Sequence, residues 1–276
     1  KQVNDLTNAR VVFQGFVGIA DILRPEAISA IETALKAGVS VRMITGDHAE
    51  TAYQIGREMG MVTSRAEVLD CRAIDSLSDS QLAKIIGKTK VFARVVPEQK
   101  HRLLSILKKR HITAMTGDGV NDVPALSNAH IGVAMGSGAS IAKDASDIIL
   151  LDDNYKTIVD AMREGRIIIS NIRRMLIYLI ATNAGEVMAM LGALVIGTKL
   201  PLEPVQILWV NLMTDTSMVI PLGLEPAEND VMAKKPRKPS APILRPAMIV
   251  RMIIAAIIIA SLTLVTYLLF INSHSH

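Results

Sequence analysis

The sequence predicts an α/β domain with a doubly wound, mainly parallel sheet, followed by an α-helical transmembrane region. Two observations predict the α/β domain. At least five strand-like runs alternate with helical patterns, and a unit of buried strand, Thr-Gly-Asp turn and helix occurs twice, at 45–47 and 116–118. A third observation predicts the membrane region, because most of the charge lies before Arg174 and long apolar runs follow it.

Bulk composition also indicates a soluble half joined to a membrane half. The 276 residues are 50% hydrophobic, yet 20% are charged, which does not fit a uniform globule. We therefore divide the chain into an α/β domain over 1–154, a helical stalk over 155–174 and a transmembrane region over 175–271. The basic residues behind the net charge of +4 are dispersed among acids in the first half, so no nucleic-acid partner is expected. The single cysteine, Cys71, excludes an intramolecular disulfide and a multi-cysteine metal site.

The elements of the α/β domain follow from proline, glycine and apolar patterns. Pro25 and Pro97 occupy first-turn positions of two predicted helices, and Gly38 follows the end of the first. Predicted helices cover 25–37, 49–59, 77–86 and 97–109, and predicted strands cover 11–20, 39–44, 91–93, 112–115, 131–134 and 148–151. The run Gly-Ser-Gly-Ala-Ser at 136–140 predicts a turn that enters a further helix. From Tyr155 the helical pattern continues without proline, which predicts one long helix from the soluble half into the membrane.

The two Thr-Gly-Asp turns are expected on the same edge of one sheet, where parallel α/β proteins bind ligands. The second turn belongs to the run MTGDGVNDVPAL, Met115 to Leu126. Its glycines allow the backbone to turn tightly near a phosphate, and Asp118 and Asp122 supply the hard oxygens that Mg²⁺ prefers. For a short Gly-Asp-Gly alone, an ordinary strand-turn-helix corner with Asp122 as a helix cap would be the better interpretation.

Three spans of the second half are long enough to cross a hydrocarbon core of about 30 Å. They cover 175–196, 205–224 and 247–271. Helical spacing places oxygen-bearing side chains on one face of each of the first two spans, namely Asn183 and Glu186 on one and Asn211, Thr214 and Asp215 on the other.

An acid inside a span costs roughly 2.5 to 3.5 kcal/mol at the bilayer centre, so these five side chains together indicate a cation cage. Taken singly, Glu186 could be a protonated carboxyl bonded to a neighbouring helix, and Asn183 or Thr214 could make interhelical hydrogen bonds. Ligation by oxygen alone suits a hard cation such as Ca²⁺. The first two spans contain no Cys or His, which argues against copper and zinc.

Basic residues predict the orientation in the lipid bilayer. They precede the first span and fill the loop between the second and third spans, whereas the turn at 197–204 carries only Lys199. The basic residues are Arg163, Arg166, Arg173, Arg174, Lys234, Lys235, Arg237, Lys238 and Arg245. Both basic regions, and with them the soluble half, are expected on the cytoplasmic side. Contact of the basic loop with anionic lipid is an additional, weaker hypothesis.

Several motifs in a fixed order resemble the P-type cation-transporting ATPases, and the membrane motifs resemble the calcium-pump-like branch. The motifs are TGDGVNDVPAL at 116–126, FARVVPEQK at 92–100, NAGE at 183–186 and WVNLMTD at 209–215. The resemblance implies a haloacid-dehalogenase-like fold for the phosphorylation domain, ATP and Mg²⁺ as cofactors, and a transported cation, most simply Ca²⁺. Mn²⁺, Na⁺ and H⁺ remain open as alternatives.

The resemblance also assigns roles to individual residues. Lys100 would contact the aspartyl-phosphate, Asp118 and Asp122 would hold Mg²⁺, and Asn121 together with Asp122 would fix the site. Thr45 and Asp47 would contact the phosphoryl group or the nucleotide. The implied nucleotide-binding set is Thr45, Gly46, Asp47, Arg94 and Lys100, and the implied cation ligands are Asn183, Glu186, Asn211, Thr214 and Asp215.

The chain departs from the family in several respects, the most important being that it contains no D-K-T-G-T motif, which carries the phosphorylated aspartate. The T-G-E-S and P-E-G-L-P motifs and the nucleotide-binding domain are also absent from it. We therefore expect a carboxy-proximal part of a pump that needs the remainder of the pump polypeptide to form a phosphoenzyme. A non-catalytic or regulatory membrane fragment is an alternative. A self-sufficient phosphatase is disfavoured, because no D-x-D nucleophile precedes the Thr-Gly-Asp turns.

Overall fold

The computed structural model describes residues 12–15, 17, 22–226, 231–237 and 241–274. Within these residues, the first half contains six short helices and six strands: α1 Pro25–Lys36, α2 Ala49–Glu58, α3 Asp79–Ile86, α4 Pro97–Lys108, α5 Val123–Asn128, α6 Ser140–Asp144, β1 Met43–Ile44, β2 Val68–Asp70, β3 Val91–Ala93, β4 Ala114–Gly117, β5 Ile131–Met135 and β6 Ile148–Leu150. Single-turn 3₁₀ segments occur at Arg65–Glu67 and Val120–Asp122, with a longer one at Cys71–Ser76. Three long helices follow: α7 Tyr155–Ile196, α8 Pro204–Gly223 and α9 Pro246–His274. An α/β domain followed by a helical membrane region is therefore confirmed as the fold class.

Local sequence accounts for the helix starts. Pro25 and Pro97 stand in the first turns of α1 and α4, where a missing N–H costs nothing. The Ser78 side chain accepts a hydrogen bond from the Gln81 N–H and caps α3. The Asn154 side chain caps α7 by accepting from the Lys156 N–H at 2.9 Å.

In the part of the chain that the structure describes, all strand pairs are parallel, but they form two separate three-stranded sheets, in the orders β1-β3-β2 and β4-β5-β6. The prediction that both Thr-Gly-Asp turns follow strands of one sheet is therefore wrong. The first turn follows β1 and the second begins within β4. Each of these strands has only one strand partner among the described residues.

Two other strand predictions need correction. The strand expected over 39–44 is reduced to Met43–Ile44, because its partner β3 begins at Val91, opposite Met43. In the strand expected over 11–20, residues 12–15 and 17 form no strand, and the others lie outside the described residues. Strand β2 was not predicted from the sequence. Its three residues lie between two 3₁₀ segments, Arg65–Glu67 and Cys71–Ser76.

Helix α4 contributes to the hydrophobic cores of both sheets. Its Leu103 packs in a cluster with the fully buried Phe92 of β3, and its Leu104 packs with Met115 of β4. Cys71 also lies in the first cluster, and burial raises the pKa of its thiol to about 12. The two sheets are thus held together by a shared helix, and the cysteine is a packed, unreactive thiol.

The three long helices have the length and apolar composition needed to cross a membrane. Helix α7 packs against α9 along small residues, because Ala181, Ala189 and Ala193 of α7 are buried. At Gly185 of α7, a Cβ atom would lie only 2.8 Å from Cγ2 of Ile259. Helix α8, in contrast, has no buried residue. The α7–α9 contact is therefore close, while α8 leaves most of its surface uncovered.

The connection between α8 and α9 contacts both the α/β domain and α7. One guanidinium nitrogen of Arg166, on α7, donates to the carbonyls of Val231 at 3.0 Å and Lys234 at 2.7 Å, and the other donates to the carbonyl of Ala37 at 3.0 Å. Met232 packs on the apolar cluster between α1 and α7. Arg166 thus joins the end of α1, α7 and this connection.

The carboxyl end of α8 is fixed to α7 as well. The Asn171 amide donates to the carbonyls of Gly223 at 3.1 Å and Glu225 at 2.9 Å. The Arg174 guanidinium donates to the Glu225 carboxylate at 2.8 Å. The start of this connection and its segment at 231–234 are therefore both held by side chains of α7.

Candidate functional site

The Gly-Asp-Gly turn lies at the carboxyl end of β4. Its aspartate, Asp118, is exposed, as is Asn121, whereas Asp122 is buried. A Cβ atom on Gly117 would lie 2.6 Å from the Asp122 Cβ and 2.8 Å from its Cγ, so only glycine allows the turn to fold back over that side chain. Asp122 Oδ2 also accepts a hydrogen bond from the Gly119 N–H at 3.4 Å.

Lys100 reaches this turn from the first turn of α4. Its Nζ lies 2.7 Å from Asp122 Oδ1. The two side chains are only 19% and 9% exposed, so the ion pair is poorly accessible to solvent. Because Lys100 follows the end of β3 and Asp122 follows the end of β4, this pair connects the carboxyl edges of the two sheets.

The first Thr-Gly-Asp turn forms a second group. Thr45 Oγ1 donates to Asp47 Oδ2 at 2.8 Å and accepts from the Asp47 N–H at 3.1 Å. The Arg94 N–H donates to the Asp47 carbonyl at 2.9 Å. Gly46 between them is exposed, and nothing lies within 4 Å of the position its Cβ would take.

Arg94 has an unusual conformation for a non-glycine residue. Its φ is +54°, in the left-handed region, and its guanidinium contacts the Nδ1 atom of His48. Its Nε is buried without a hydrogen-bond partner among the described residues. Backbone strain combined with an unsatisfied donor is typical of sites that bind ligands.

The structure therefore brings the predicted residues into two groups rather than one. Lys100 and Asp122 meet beside Asp118, and Thr45, Asp47 and Arg94 meet around the first turn. No hydrogen bond or ion pair between these groups is found within the described ranges. No set of three or more His, Cys, Asp or Glu side chains there could hold a metal by itself.

The acid pair fits Mg²⁺ only as part of a larger ligand set. Asp118 offers an exposed carboxylate, while one oxygen of Asp122 is already paired with Lys100. Mg²⁺ usually takes one or two protein carboxylates and completes its shell with water and phosphate oxygens. The carboxylate oxygens at this turn are compatible with that ligand set.

In the membrane region, the predicted cage residues lie on the facing helices α7 and α8. With its amide nitrogen turned toward α7, Asn211 donates to Glu186 Oε1 at 2.9 Å and Oε2 at 3.0 Å. Asp215 is close enough to interact electrostatically with Glu186, and its Oδ1 is buried without a hydrogen-bond partner among the described residues. Two acids close together in an apolar region, one of them with an unsatisfied carboxylate oxygen, favour a bound cation.

The side-chain donors of the other two predicted cage residues, Asn183 and Thr214, bond to carbonyls of their own helices. The Asn183 amide donates to the Leu179 carbonyl at 2.8 Å, and the Thr214 hydroxyl donates to the Val210 carbonyl at 2.8 Å. Each bond is made by a hydrogen donor, so the Asn183 carbonyl oxygen and the lone pairs of the Thr214 oxygen are still available as ligands.

Two residues near the first turn were not singled out from the sequence. His48 occupies the N-cap position of α2, directly after Asp47, and its side chain contacts Arg94. Its position beside the Thr-Gly-Asp turn was the one available signal. Asp70 ends β2 at the same sheet edge, but the Arg72 guanidinium holds it by hydrogen bonds that lower the pKa of the carboxyl. Asp70 is therefore committed to a local ion pair.

Comparisons with known proteins show what the chain is similar to. The family model described as "Cation transporting ATPase, C-terminus" matches residues 199–276, and two models described as "haloacid dehalogenase-like hydrolase" match 2–130 and 102–162. A "Calcium-transporting ATPase" of Bacillus subtilis is 45% identical over 82% of the chain. A calcium-transporting ATPase of Listeria monocytogenes is 44% identical over 82% of the chain, and a "Probable cation-transporting ATPase F" of Mycobacterium tuberculosis is 41% identical over 90%. The chain spans only 26%, 26% and 28% of the length of these three relatives.

Proposed function

The chain belongs to the P-type cation-transporting ATPases, and we propose that it forms the carboxy-proximal part of the phosphorylation domain and the adjoining membrane helices of a Ca²⁺ pump. The observation that carries the proposal is the buried Lys100–Asp122 pair beside the exposed Asp118. An ammonium group and two carboxylates at the carboxyl edge of a parallel α/β fold support the proposal, because phosphoryl transfer needs positive charge and metal-binding oxygens around the phosphoryl group.

Residues of this chain would divide the phosphorylation chemistry between them. Asp118, with the second oxygen of Asp122, would hold the Mg²⁺ that neutralises charge on the phosphoryl group. Lys100 would place its ammonium against the phosphoryl oxygens, and Asn121 would fix the turn. Each interaction stabilises charge that develops during transfer, which is how phosphoryl-transfer enzymes gain most of their rate.

The first turn would contact the nucleotide or the phosphoryl group from the other side. Thr45 and Asp47 are oriented by their mutual hydrogen bond, and Gly46 leaves space for a close approach of phosphate oxygens. The unsatisfied Nε of Arg94 would donate to ATP.

The transported cation would bind between α7 and α8. Its ligands would be the carboxylates of Glu186 and Asp215 and the oxygens of Asn183, Asn211 and Thr214. Carboxylate and amide oxygens suit Ca²⁺, and the two acids would be paired by the cation instead of repelling each other. Binding would displace the Asn211 amide nitrogen from Glu186, because a cation needs the amide oxygen in its place.

Helix α7 would couple the two sites. It begins at Tyr155, packs on α1 of the α/β domain, and carries Asn183 and Glu186 toward its far end. We assign 1–154 to the phosphorylation domain, 155–174 to a stalk and 175–271 to the transmembrane region. The two basic regions support a cytoplasmic location of the soluble part. Movement of the α/β domain would then reach the cage as a displacement of one continuous helix.

The remainder of the pump polypeptide would complete the sheet as well as the catalytic site. Strands β1 and β4 each have a free edge among the described residues, and α4 packs on the cores of both sheets. A strand between β1 and β4 would join the sheets and pair both edges. If that strand ended in the phosphorylated aspartate, the aspartate would lie between the two Thr-Gly-Asp turns, beside Lys100.

The test is phosphorylation of membranes that contain the native protein, with γ-labelled ATP, with and without Ca²⁺, followed by an acid gel probed for this sequence. We expect a Ca²⁺-dependent, acid-stable band much larger than 29.9 kDa. A large band that depends on another cation would retain the pump and change its cargo. Absence of label under every cation would overturn phosphoenzyme formation and favour a non-catalytic membrane protein.

A further inference from the structure

The turn Gly136–Ala139 lies beside Asp118 at the carboxyl edge of the second sheet. It follows β5, the central strand, which pairs with β4 on one side and β6 on the other. The turn therefore lies between the residue after β4, Asp118, and the segment after β6 that leads into α7. The proposed phosphorylation chemistry does not use its side chains.

On one side, the turn holds the backbone of Asp118. The Ala139 N–H donates to the Asp118 carbonyl at 2.8 Å, and the Gly138 N–H closes the turn by donating to the Met135 carbonyl at 3.0 Å. A Cβ atom on Gly138 would lie 2.8 Å from the Asp118 carbonyl oxygen, 3.1 Å from the Asp118 Cα and 3.0 Å from the Met135 carbonyl oxygen.

These three neighbours are backbone atoms, which cannot rotate away as the end of a flexible side chain can. The φ of Gly138 is not in the left-handed region, so the requirement for glycine is one of space rather than of conformation. Any larger residue at this position must therefore displace the Asp118 peptide or open the turn.

On its other side, the turn is fixed to the residues that precede α7. The Gly136 N–H donates to the Leu150 carbonyl at 2.8 Å, and the Ser137 N–H donates to Asp153 Oδ1 at 3.1 Å. Hydrogen bonding by Ser137, first through its side chain and then through its N–H, lowers the pKa of the Asp153 carboxyl. Asp153 has a φ of +50° and directly precedes Asn154, the cap of α7.

We propose that the turn Gly136–Ala139 is a positioning element that holds Asp118 at a fixed place relative to the start of α7, and that Gly138 is the residue on which this fit depends. The inference rests on the proposed role of Asp118 in Mg²⁺-dependent phosphorylation. Gly138 touches neither metal nor phosphate and acts through the Asp118 backbone. Because carboxylate ligands must be held within about 0.5 Å of their working position, a displaced Asp118 peptide weakens Mg²⁺ binding before it changes ATP binding.

The first test compares Gly138→Ala with Gly165→Ala in the intact pump that carries this chain. Gly165 lies in α7, and nothing is within 4 Å of its Cβ position, so it is a matched glycine without the close contact. We expect the Mg²⁺ concentration for half-maximal phosphorylation to rise by about tenfold in Gly138→Ala, while the ATP concentration for half-maximal phosphorylation stays within about twofold. Gly165→Ala is expected to match the wild type in both. An unchanged Mg²⁺ dependence in a folded Gly138→Ala variant would overturn the proposal.

The second test uses hydrogen exchange of the Ala139 amide in the 276-residue chain itself, so it does not depend on pump activity. We expect faster exchange of this amide in Gly138→Ala, with the amides of β5 protected as in the wild type. If the wild-type pump forms no phosphoenzyme, the proposed function fails, and this exchange measurement still decides whether Gly138 positions Asp118. Equal exchange rates of the Ala139 amide in Gly138→Ala and in the wild type would overturn the claim that Gly138 positions Asp118.

A third test uses a pair of variants that leaves Gly138 unchanged. Asp153→Gly removes the acceptor of the Ser137 N–H and tolerates the left-handed backbone, whereas Asp153→Asn keeps an acceptor oxygen. We expect Asp153→Gly to raise the Mg²⁺ requirement in the same direction as Gly138→Ala, and Asp153→Asn to remain close to the wild type. An equal Mg²⁺ requirement in the two Asp153 variants would show that the turn does not connect Asp118 to α7.

Discussion

Removing either partner of the Lys100–Asp122 pair is expected to destabilise the α/β domain, because the other charge is then left unpaired in a poorly hydrated place. Loss of one member of a fully buried pair costs roughly 3 to 5 kcal/mol, and an exposed pair contributes about 0 to 1 kcal/mol. The two side chains are 19% and 9% exposed, which places this pair nearer the buried case. We therefore expect Lys100→Met and Asp122→Asn each to lower the free energy of opening of β4 by about 2 to 4 kcal/mol.

The assay is native-state hydrogen exchange of the β4 and α4 amides in the full chain, with a double-mutant cycle. The double variant is expected to be no less stable than the worse single variant, since it leaves no unpaired charge. Lys36→Met, which breaks the exposed Lys36–Glu32 pair on α1, is the control and is expected to have no measurable effect on β4. Strictly additive losses in the double variant would show that the two side chains act independently and would refute this account of the pair.

Three further predictions concern packing, pH and the connection between α8 and α9. Gly185→Val is expected to separate α7 from α9 and lower the melting temperature of the chain in detergent, whereas Gly165→Ala, in open space, is expected to raise it slightly because alanine favours helix. The Lys90 ammonium and backbone donors lower the pKa of Glu67 from 4.5 to about 2. The stability that this carboxylate contributes is therefore fully present above about pH 4.5 and is lost as the pH falls toward 2. Lys90→Ala should move the Glu67 midpoint, followed by NMR, back upward, and an unmoved midpoint would exclude the ion pair as the main cause. Arg166→Ala removes three hydrogen bonds to carbonyls and is expected to accelerate tryptic cleavage in the loop at 231–237, and an unchanged cleavage rate would show that Arg166 does not hold that loop.

The sequence predicted best where the signal is local. Proline in the first turn predicted the starts of α1 and α4, and the run 91–93 predicted β3 at its observed bounds. The second Thr-Gly-Asp turn also lies at the carboxyl end of a strand, β4, as the strand-turn-helix unit predicted. These features depend on residues close in sequence or on the general geometry of parallel α/β proteins.

Strand pairing could not be predicted in the same way. Apolar runs indicate that a strand forms but not which strand lies beside it, so the separation of β1 from β4 was missed. The left-handed backbone of Arg94 was also hidden, because that conformation is usually indicated by glycine or asparagine. Helical spacing placed Asn183 on the same face as Glu186, but it could not show that the Asn183 amide bonds to its own helix.

The most direct test of the account is the Ca²⁺ dependence of phosphorylation in the intact pump, measured for the wild type, Asp118→Asn and Glu186→Gln. Glu203→Gln, at the exposed start of α8, is the matched control for the membrane carboxylate. We expect no phosphoenzyme at any Ca²⁺ concentration in Asp118→Asn. In Glu186→Gln we expect phosphoenzyme to form, but only at a Ca²⁺ concentration at least about tenfold higher, because one lost ligand interaction of about 1.4 kcal/mol is a tenfold change in affinity. The control is expected to match the wild type. Normal phosphorylation of Asp118→Asn, or an unshifted Ca²⁺ dependence of Glu186→Gln, would contradict the claim that this chain couples phosphorylation at the sheet edge to a cation held between α7 and α8.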